Sequence, residues 1–503
     1  MKKINFLIAI FASLIITSCS EDFLDKRPTS FISNEDLGET ALINPDIVEA
    51  NLRGIYNQMV TAYIGGTTSQ EDFGHKSFDL MSDLLSSDLA QVGASYNRFV
   101  GLANYIWTED NTINIPNYTA WRFYYRIINS SNLVIAANGG NDIVPESDDV
   151  KGVLGQAKAI RAFAYFYLTQ YFAIKYDPSA EILPLYINPG EPGKAKSTMG
   201  EVYDQIITDL NSAIDFMDGY NRPNKASINQ NVAKGLLAYV YASMGNKNIE
   251  AKQLADEVIN SGEFTMMDAN EVTGGFTALS TPGWMWGFDI TIANDLGLVS
   301  WHGFMDYYSY SYQAVGNFRG IDAGLYDRIN DNDIRKEQFG SPNDDDGTLD
   351  VGDSPLIPAG KFYNLNKVPF GQLPITDDYV YMRVTEMYLL SAEMSAVEGN
   401  DAAARTRLKQ VLAKRYPNAS DYAYVDGLSG QALLDEIVFN TKIEFIGEGK
   451  SYLLMKRRKL SNTRGSNHLN RAGETISYDD PKVTFSIHQR EITDNPMITK
   501  GNK

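Results

Sequence analysis

"GLLAYVYASMGNKNIEAKQLADEVI", Gly235 to Ile259, places two helical patterns on either side of a glycine. Leu237, Ala238 and Tyr241 recur at spacings of three and four, Gly245 interrupts, and Ala251 opens a second apolar face. "LLSAEMSAVEGNDAAARTRLKQVLAKRYPN", Leu389 to Asn418, repeats the arrangement with Ala392, Gly399, Ala404 and Leu408 at the corresponding places and Pro417 just beyond. Such spacing puts apolar side chains on one helix face. Small residues let paired helices approach, and glycine accepts the left-handed backbone that ends a helix. Both stretches read as antiparallel helical hairpins.

The two hairpins resemble tetratricopeptide units, although Ala251 comes one residue late; any antiparallel helix pair is the plainer reading. Further helices are expected at Pro45–Ala62, Thr119–Ala137, Met199–Met217, Val232–Met244, Ile249–Ile259, Tyr381–Val397, Ala402–Leu412 and Leu433–Ile446. In "GQAKAIRAFAYFYLTQYFA", from Gly155, the residues Ile160, Phe163, Tyr167, Leu168 and Tyr171 mark one apolar face. The expected fold is mainly α: a tetratricopeptide-like helical-repeat body made of residues 45–260 and 379–503. Residues 261–378 are rich in Gly, Pro, Asn and Asp and lack a sustained period. They are expected to form an irregular, loop-rich insert that carries ligand.

The N-terminus carries a different signal. Lys2 and Lys3 precede an apolar run, then Ile16, Thr17, Ser18 and the single cysteine of the chain, Cys19. A basic start, an apolar run too short to span, and an aliphatic residue with two small residues before cysteine resemble the bacterial lipobox. The expectation is a lipoprotein signal peptide over 1–18, lipidation of Cys19, and a polar tether over 19–44. Two or more acyl chains, at about 0.8 kcal/mol per buried CH₂, anchor firmly.

Composition excludes several functions. The net charge is −19, and loss of Lys2 and Lys3 with the leader takes it to −21. Nucleic acid binding needs a basic surface, so none is expected. One cysteine forms no internal disulfide and no multi-cysteine zinc site. The four histidines stand far apart, and no G-x-S-x-G elbow occurs. "GEGKS" at Gly447 has Glu444 where a phosphate loop needs its first glycine. "NDDDGTLDVGD" puts Asp344, Asp346 and Asp353 at calcium-ligand places but Pro342 at the first, and reads as a solvated acidic loop in preference to a calcium site. No catalytic group, metal or cofactor is expected.

The lipobox with "FLD" from Phe23, "IRAFAYFYLTQYF" from Ile160, "YVYMRVTEMYLLSAE" from Tyr379 and "IEFIGEGKSYLLMKR" from Ile443 together resemble the SusD/RagB family of outer-membrane nutrient-binding lipoproteins. Arg383, Glu386, Tyr388, Ala392 and Glu393 form the most specific part; Ser451, Leu454 and Asn440–Thr441 depart from the family pattern. The motif positions read as structural, so the departures mark a divergent branch and leave the ligand open. The resemblance implies a lipid-anchored protein on the exterior of the outer membrane. It would bind oligosaccharide and deliver it to a SusC-like TonB-dependent transporter; peptide uptake is the alternative, and a surface glycosidase a more remote one.

Sugar rings stack on flat aromatic faces while their hydroxyls need hydrogen bonds. "GWMWGFDITIANDLGLVSWHGFMDYYSYSY" supplies Trp284, Trp286, Trp301, Tyr307, Tyr308, Tyr310 and Tyr312, with Asn294, His302 and Asp306 as polar neighbours. The family resemblance adds the earlier loop with Tyr96, Arg98 and Trp107. The expected ligand contacts are Trp284, Trp286, Trp301, Tyr307, Tyr96, Arg98 and Trp107. The competing reading is that alternating aromatics such as Tyr308, Tyr310 and Tyr312 line one face of a packed strand.

Overall fold

A computed structural model describes residues 45–343, 346–371 and 373–503. The leader, Cys19, the tether and Asp344 lie outside the described residues. Helices longer than one turn are α1 (Pro45–Gln58), α2 (His75–Ser86), α3 (Thr119–Ala137), α4 (Asp148–Phe172), α5 (Met199–Phe216), α6 (Gln230–Met244), α7 (Asn248–Asn260), α8 (Val384–Val397), α9 (Asp401–Leu412), α10 (Gly430–Glu444), α11 (Ser451–Arg458) and α12 (Gln489–Asp494). The protein is mainly helical. From α3 to α9 each helix packs on the next, and this succession runs from α7 to α8 across the whole 261–378 excursion. A continuous stack of helical hairpins is the layout of tetratricopeptide-type arrays, in which each unit buries its apolar face on its neighbour.

The hairpin turns form as their glycines dictate. Gly245 and Gly399 both adopt φ +75°, the left-handed conformation that a side chain would strain. Thr198 caps α5 by accepting from the Glu201 N–H, and Glu201 reaches back to the Thr198 N–H.

Helix α4 is buried all round from Leu154 to Phe172, beyond the single face its periodicity suggests. Small residues explain how it accepts neighbours on every side: a Cβ on Gly155 would stand 2.7 Å from Met217 Cγ. Arg161 at its middle is fully buried and joins three segments. It makes a bidentate pair with Asp209 (2.8 and 2.7 Å) and donates to Asn132 Oδ1, Asn141 Oδ1 and the Ile187 carbonyl. Such a pair is tolerable in the core only because every guanidinium N–H is used.

Two strand pairs fasten the insert. β1 (Leu89–Gln91) runs antiparallel to β3 (Arg319–Ile321), and β2 (Trp284–Phe288) antiparallel to β4 (Tyr379–Arg383). The expected helix start at Tyr381 is therefore corrected: residues 379–383 are strand, and α8 begins at Val384. Pairing with β2 overrides local helix preference here. Arg383 ends β4, and its N–H donates to Glu386 Oε1 at 2.7 Å. Helices α2, α11 and α12 are additional to the sequence expectation.

The family-motif residues meet in one buried charge cluster. Glu444 accepts from Arg415 (2.7 and 2.9 Å), Arg383 (3.0 Å) and Arg335 (3.3 Å). Glu448 accepts from Arg383 and Lys361. Arg335 and Lys361 come from the insert and the others from the C-terminal part, so the cluster joins the two. "GEGKS" belongs to this scaffold too: Lys450 is buried and donates to the Tyr381 carbonyl at 2.8 Å.

Candidate functional site

The structure places the tryptophans against the expectation. Trp284, Trp286 and Trp301 are 0, 1 and 4% exposed, and Tyr307 is 5% exposed. Trp286 packs edge-on against Phe163 of α4 at 5.2 Å and lies 4.9 Å from Tyr381. Trp301 packs edge-on against Phe362 at 4.6 Å. Tyr307 joins Tyr308, Ala314, Ile357 and Ala359 in a small core of the insert. These four residues are corrected from ligand contacts to core. β2 lies on the helical body, so its aromatics are consumed there. Trp107 is half-buried, and its indole closes over Gly101.

Tyr96 and Arg98 behave differently. Pairing of β1 with β3 sets the loop after Gln91 beside the loop before Arg319. The Val92 and Gly93 N–H groups donate to the Phe318 carbonyl, and Asn317 Nδ2 donates to the Ser95 carbonyl at 2.7 Å. Tyr96 is 68% exposed and meets the ring of Tyr312 edge-on at 5.6 Å. The Arg98 guanidinium lies 5.0 Å from the same ring, donates to the Tyr312 hydroxyl at 3.2 Å, and pairs with Glu71 at 3.5 Å. Tyr312 also donates to Gln70, while Tyr310 stands 45% exposed. The Arg98 Nε is buried and has no hydrogen-bond partner among the described residues.

The backbone beneath this cluster is strained. Tyr96, Asn97 and Phe99 adopt φ values of +61°, +55° and +60°. Left-handed non-glycine residues cost of order 1 kcal/mol or more each and gather at functional sites. The result is a surface with the exposed Tyr96 ring, the partly exposed Arg98 guanidinium and the Gln70 amide, backed by the buried Glu71 carboxylate. That set suits a flat, hydroxyl-rich ligand. Tyr96, Arg98 and Tyr310 were visible in the sequence; Gln70 and Glu71 carried no signal there, because only the fold brings them to Arg98.

A second polar group, His302, Asp306 and Asp377, has the composition of a metal site. Its atoms are already engaged. Asp306 accepts from the Tyr308 and Asn364 N–H groups and from Ser309, His302 bonds the Asp377 carbonyl, and Asp377 accepts from Asn364. Burial pushes Asp306 up to about 7, which also weakens it as a ligand at neutral pH. The group reads as a satisfied core network.

A family model described as starch-binding and associating with the outer membrane matches residues 22–242, and the model of the SusD family matches residues 361–500. The chain belongs to the SusD family. A SusD-like protein of Bacteroides ovatus is 24% identical over 250 residues, a stretch spanning 49% of this chain and 40% of that relative. A SusD-like carbohydrate-binding protein from Bacteroides vulgatus superposes with a TM-score of 0.74 at 22% identity, covering 90% of this chain and 96% of that one. Surface glycan-binding protein A from Bacteroides uniformis superposes with a TM-score of 0.67 at 18% identity, covering 91% and 99%. At these identities the superpositions establish the SusD-family fold. The buried Arg383–Glu444–Glu448 cluster lies within the second matched segment.

Proposed function

We propose that this SusD-family protein is a non-catalytic surface lipoprotein that binds oligosaccharide and hands it to a TonB-dependent outer-membrane transporter. The observation that carries the reading is the exposed Tyr96 ring, set against Tyr312 and Arg98 beside Gln70 and seated on strained backbone. The solved relatives called carbohydrate-binding and glycan-binding support the ligand class. The lipobox at Cys19 supports the anchor, and no helix among the described residues is long and apolar enough to cross a membrane. Glu71, the carboxylate that pairs with Arg98, is buried and also accepts from Ser69.

The test is a glycan array run beside a peptide digest, followed by calorimetry on the strongest ligand with Tyr96→Ala and Arg98→Ala. Loss of a stacking or charged anchor weakens binding about tenfold or more. Wild-type affinity in both variants overturns the site, and capture from the peptide digest alone overturns the ligand class.

A further inference from the structure

A cleft of about 590 Å³ opens between α3, the loop near Tyr186 and α12, and none of its lining residues belongs to the Tyr96 group. Its volume falls within the usual range for small-ligand sites. Three arginines, Arg122, Arg126 and Arg490, line it together with the rings of Tyr118, Tyr125 and Tyr186. The Tyr118 ring is flanked by the guanidiniums of Arg122 at 5.6 Å and Arg490 at 5.3 Å. Arg122 donates to the Tyr118 hydroxyl at 2.7 Å, yet its Nε is buried and has no partner among the described residues. The side chains of Arg126 and Arg490 make no hydrogen bond or ion pair among the described residues.

The carboxylates near the cleft bond elsewhere: Asp72, whose charge acts on Arg126, accepts from Gly65 and Thr67. Glu191 is held by the Ile187 and Asn188 N–H groups and by Lys194. Burial raises the pKa of Glu491, against the Asn495 and Trp121 bonds that oppose it. Asp494, the remaining acid of the lining, is exposed. A chain of net charge −19 has ample acid to pair three arginines, yet among the described residues Arg126 and Arg490 have no carboxylate in ion-pair contact. Guanidinium groups bind carboxylate or sulfate bidentately, and tyrosine faces stack on the ring that bears it.

We propose that this cleft is a second binding site and takes an anionic sugar unit, one bearing a carboxylate or a sulfate ester. The inference rests on the saccharide reading above for its ligand class and extends it to a separate place on the molecule. The probes are oligogalacturonate, its neutral methyl ester, and a sulfated galactan oligosaccharide, titrated calorimetrically at low and high salt. The variants are Arg126→Gln with Arg490→Gln, which disturb no hydrogen bond, and Tyr96→Ala as the control for the other surface. Expected is binding of an acidic probe that weakens with salt, is absent for the methyl ester, falls at least tenfold in the arginine double variant and is unchanged in Tyr96→Ala. Preference between carboxylate and sulfate probes identifies the anion. Failure of both acidic probes to bind overturns the proposal. So does binding that Tyr96→Ala abolishes and the arginine variant leaves intact, a result that would still support the Tyr96 surface.

Discussion

Replacing Glu444 by glutamine removes the single charge that three guanidiniums share. Arg335 keeps Asp333, and Arg383 keeps Glu448. Arg415 is left with the carbonyls of Met267 and Lys414 and no carboxylate. One orphaned buried guanidinium costs about 3–5 kcal/mol. At about 2.1 cal/mol/K per residue, roughly 450 ordered residues give an unfolding entropy near 1 kcal/mol/K, so the melting temperature should fall by about 3–5 °C. Scanning calorimetry at neutral pH measures it. Adding Arg415→Met removes the orphan and should recover more than half of the loss, since taking away both partners of a buried pair is far cheaper than taking away one. The pH dependence has a definite sign. Burial alone would raise the Glu444 carboxyl, but the Arg415 and Arg383 charges outweigh it and hold the group well below its ordinary 4.5. The contribution is therefore fully present above pH 4.5 and fades as pH falls further, so the gap between variant and wild type should close in acid. Melting of Glu444→Gln within about 1 °C of wild type at neutral pH, or a double variant less stable than the single one, would refute the reasoning.

Asp83 is the opposite case: burial and repulsion from Asp79 and Asp88 outweigh a bond from the Gly449 N–H and push it up to about 8. The fold thus loses stability as pH rises from the ordinary 3.8 toward 8, so the melting advantage of Asp83→Asn over wild type should grow across that window and then level; a gap independent of pH would contradict it. Trp286→Ala should cost about 3–5 kcal/mol by opening a cavity against Phe163 and Tyr381, while leaving affinity for the best glycan unchanged once folded; weakened binding with unchanged melting would return this residue to the ligand surface.

The helical array was largely legible because hairpins carry local signals. α3 runs from Thr119 to Ala137 as the periodicity indicates, and Gly245 and Gly399 turn the chain where glycine stands. Helix α2 was not expected although Phe78, Met81, Leu84 and Leu85 mark an apolar face, because its polar face of Lys76, Asp79 and Asp83 is buried along with the rest of its twelve residues. Its charges are paired internally, as Lys76 with Asp79 at 3.0 Å. The site was half legible. Aromatic density in 284–312 is the same signal for a core and for a binding face. What decides between them is the pairing of β2 with a strand some hundred residues further on, which lays Trp286 on α4. Tyr96 and Arg98 escaped burial because β1 and β3 lift their loop clear of the body.

The shared charge cluster also has an order in time. Lys361, Arg383 and Arg415 precede Glu444 and Glu448 along the chain, and among the described residues no other carboxylate pairs with any of them. A polypeptide growing from its N-terminus therefore holds these cations unpaired until its last tenth or so is made. Burying them earlier would leave bare charge in an apolar interior, so the insert cannot settle onto the helices before synthesis is nearly complete. The acids at the end act as a late latch. A chain that must be threaded across a membrane while still extended is well served by a latch that closes only when the whole of it has arrived.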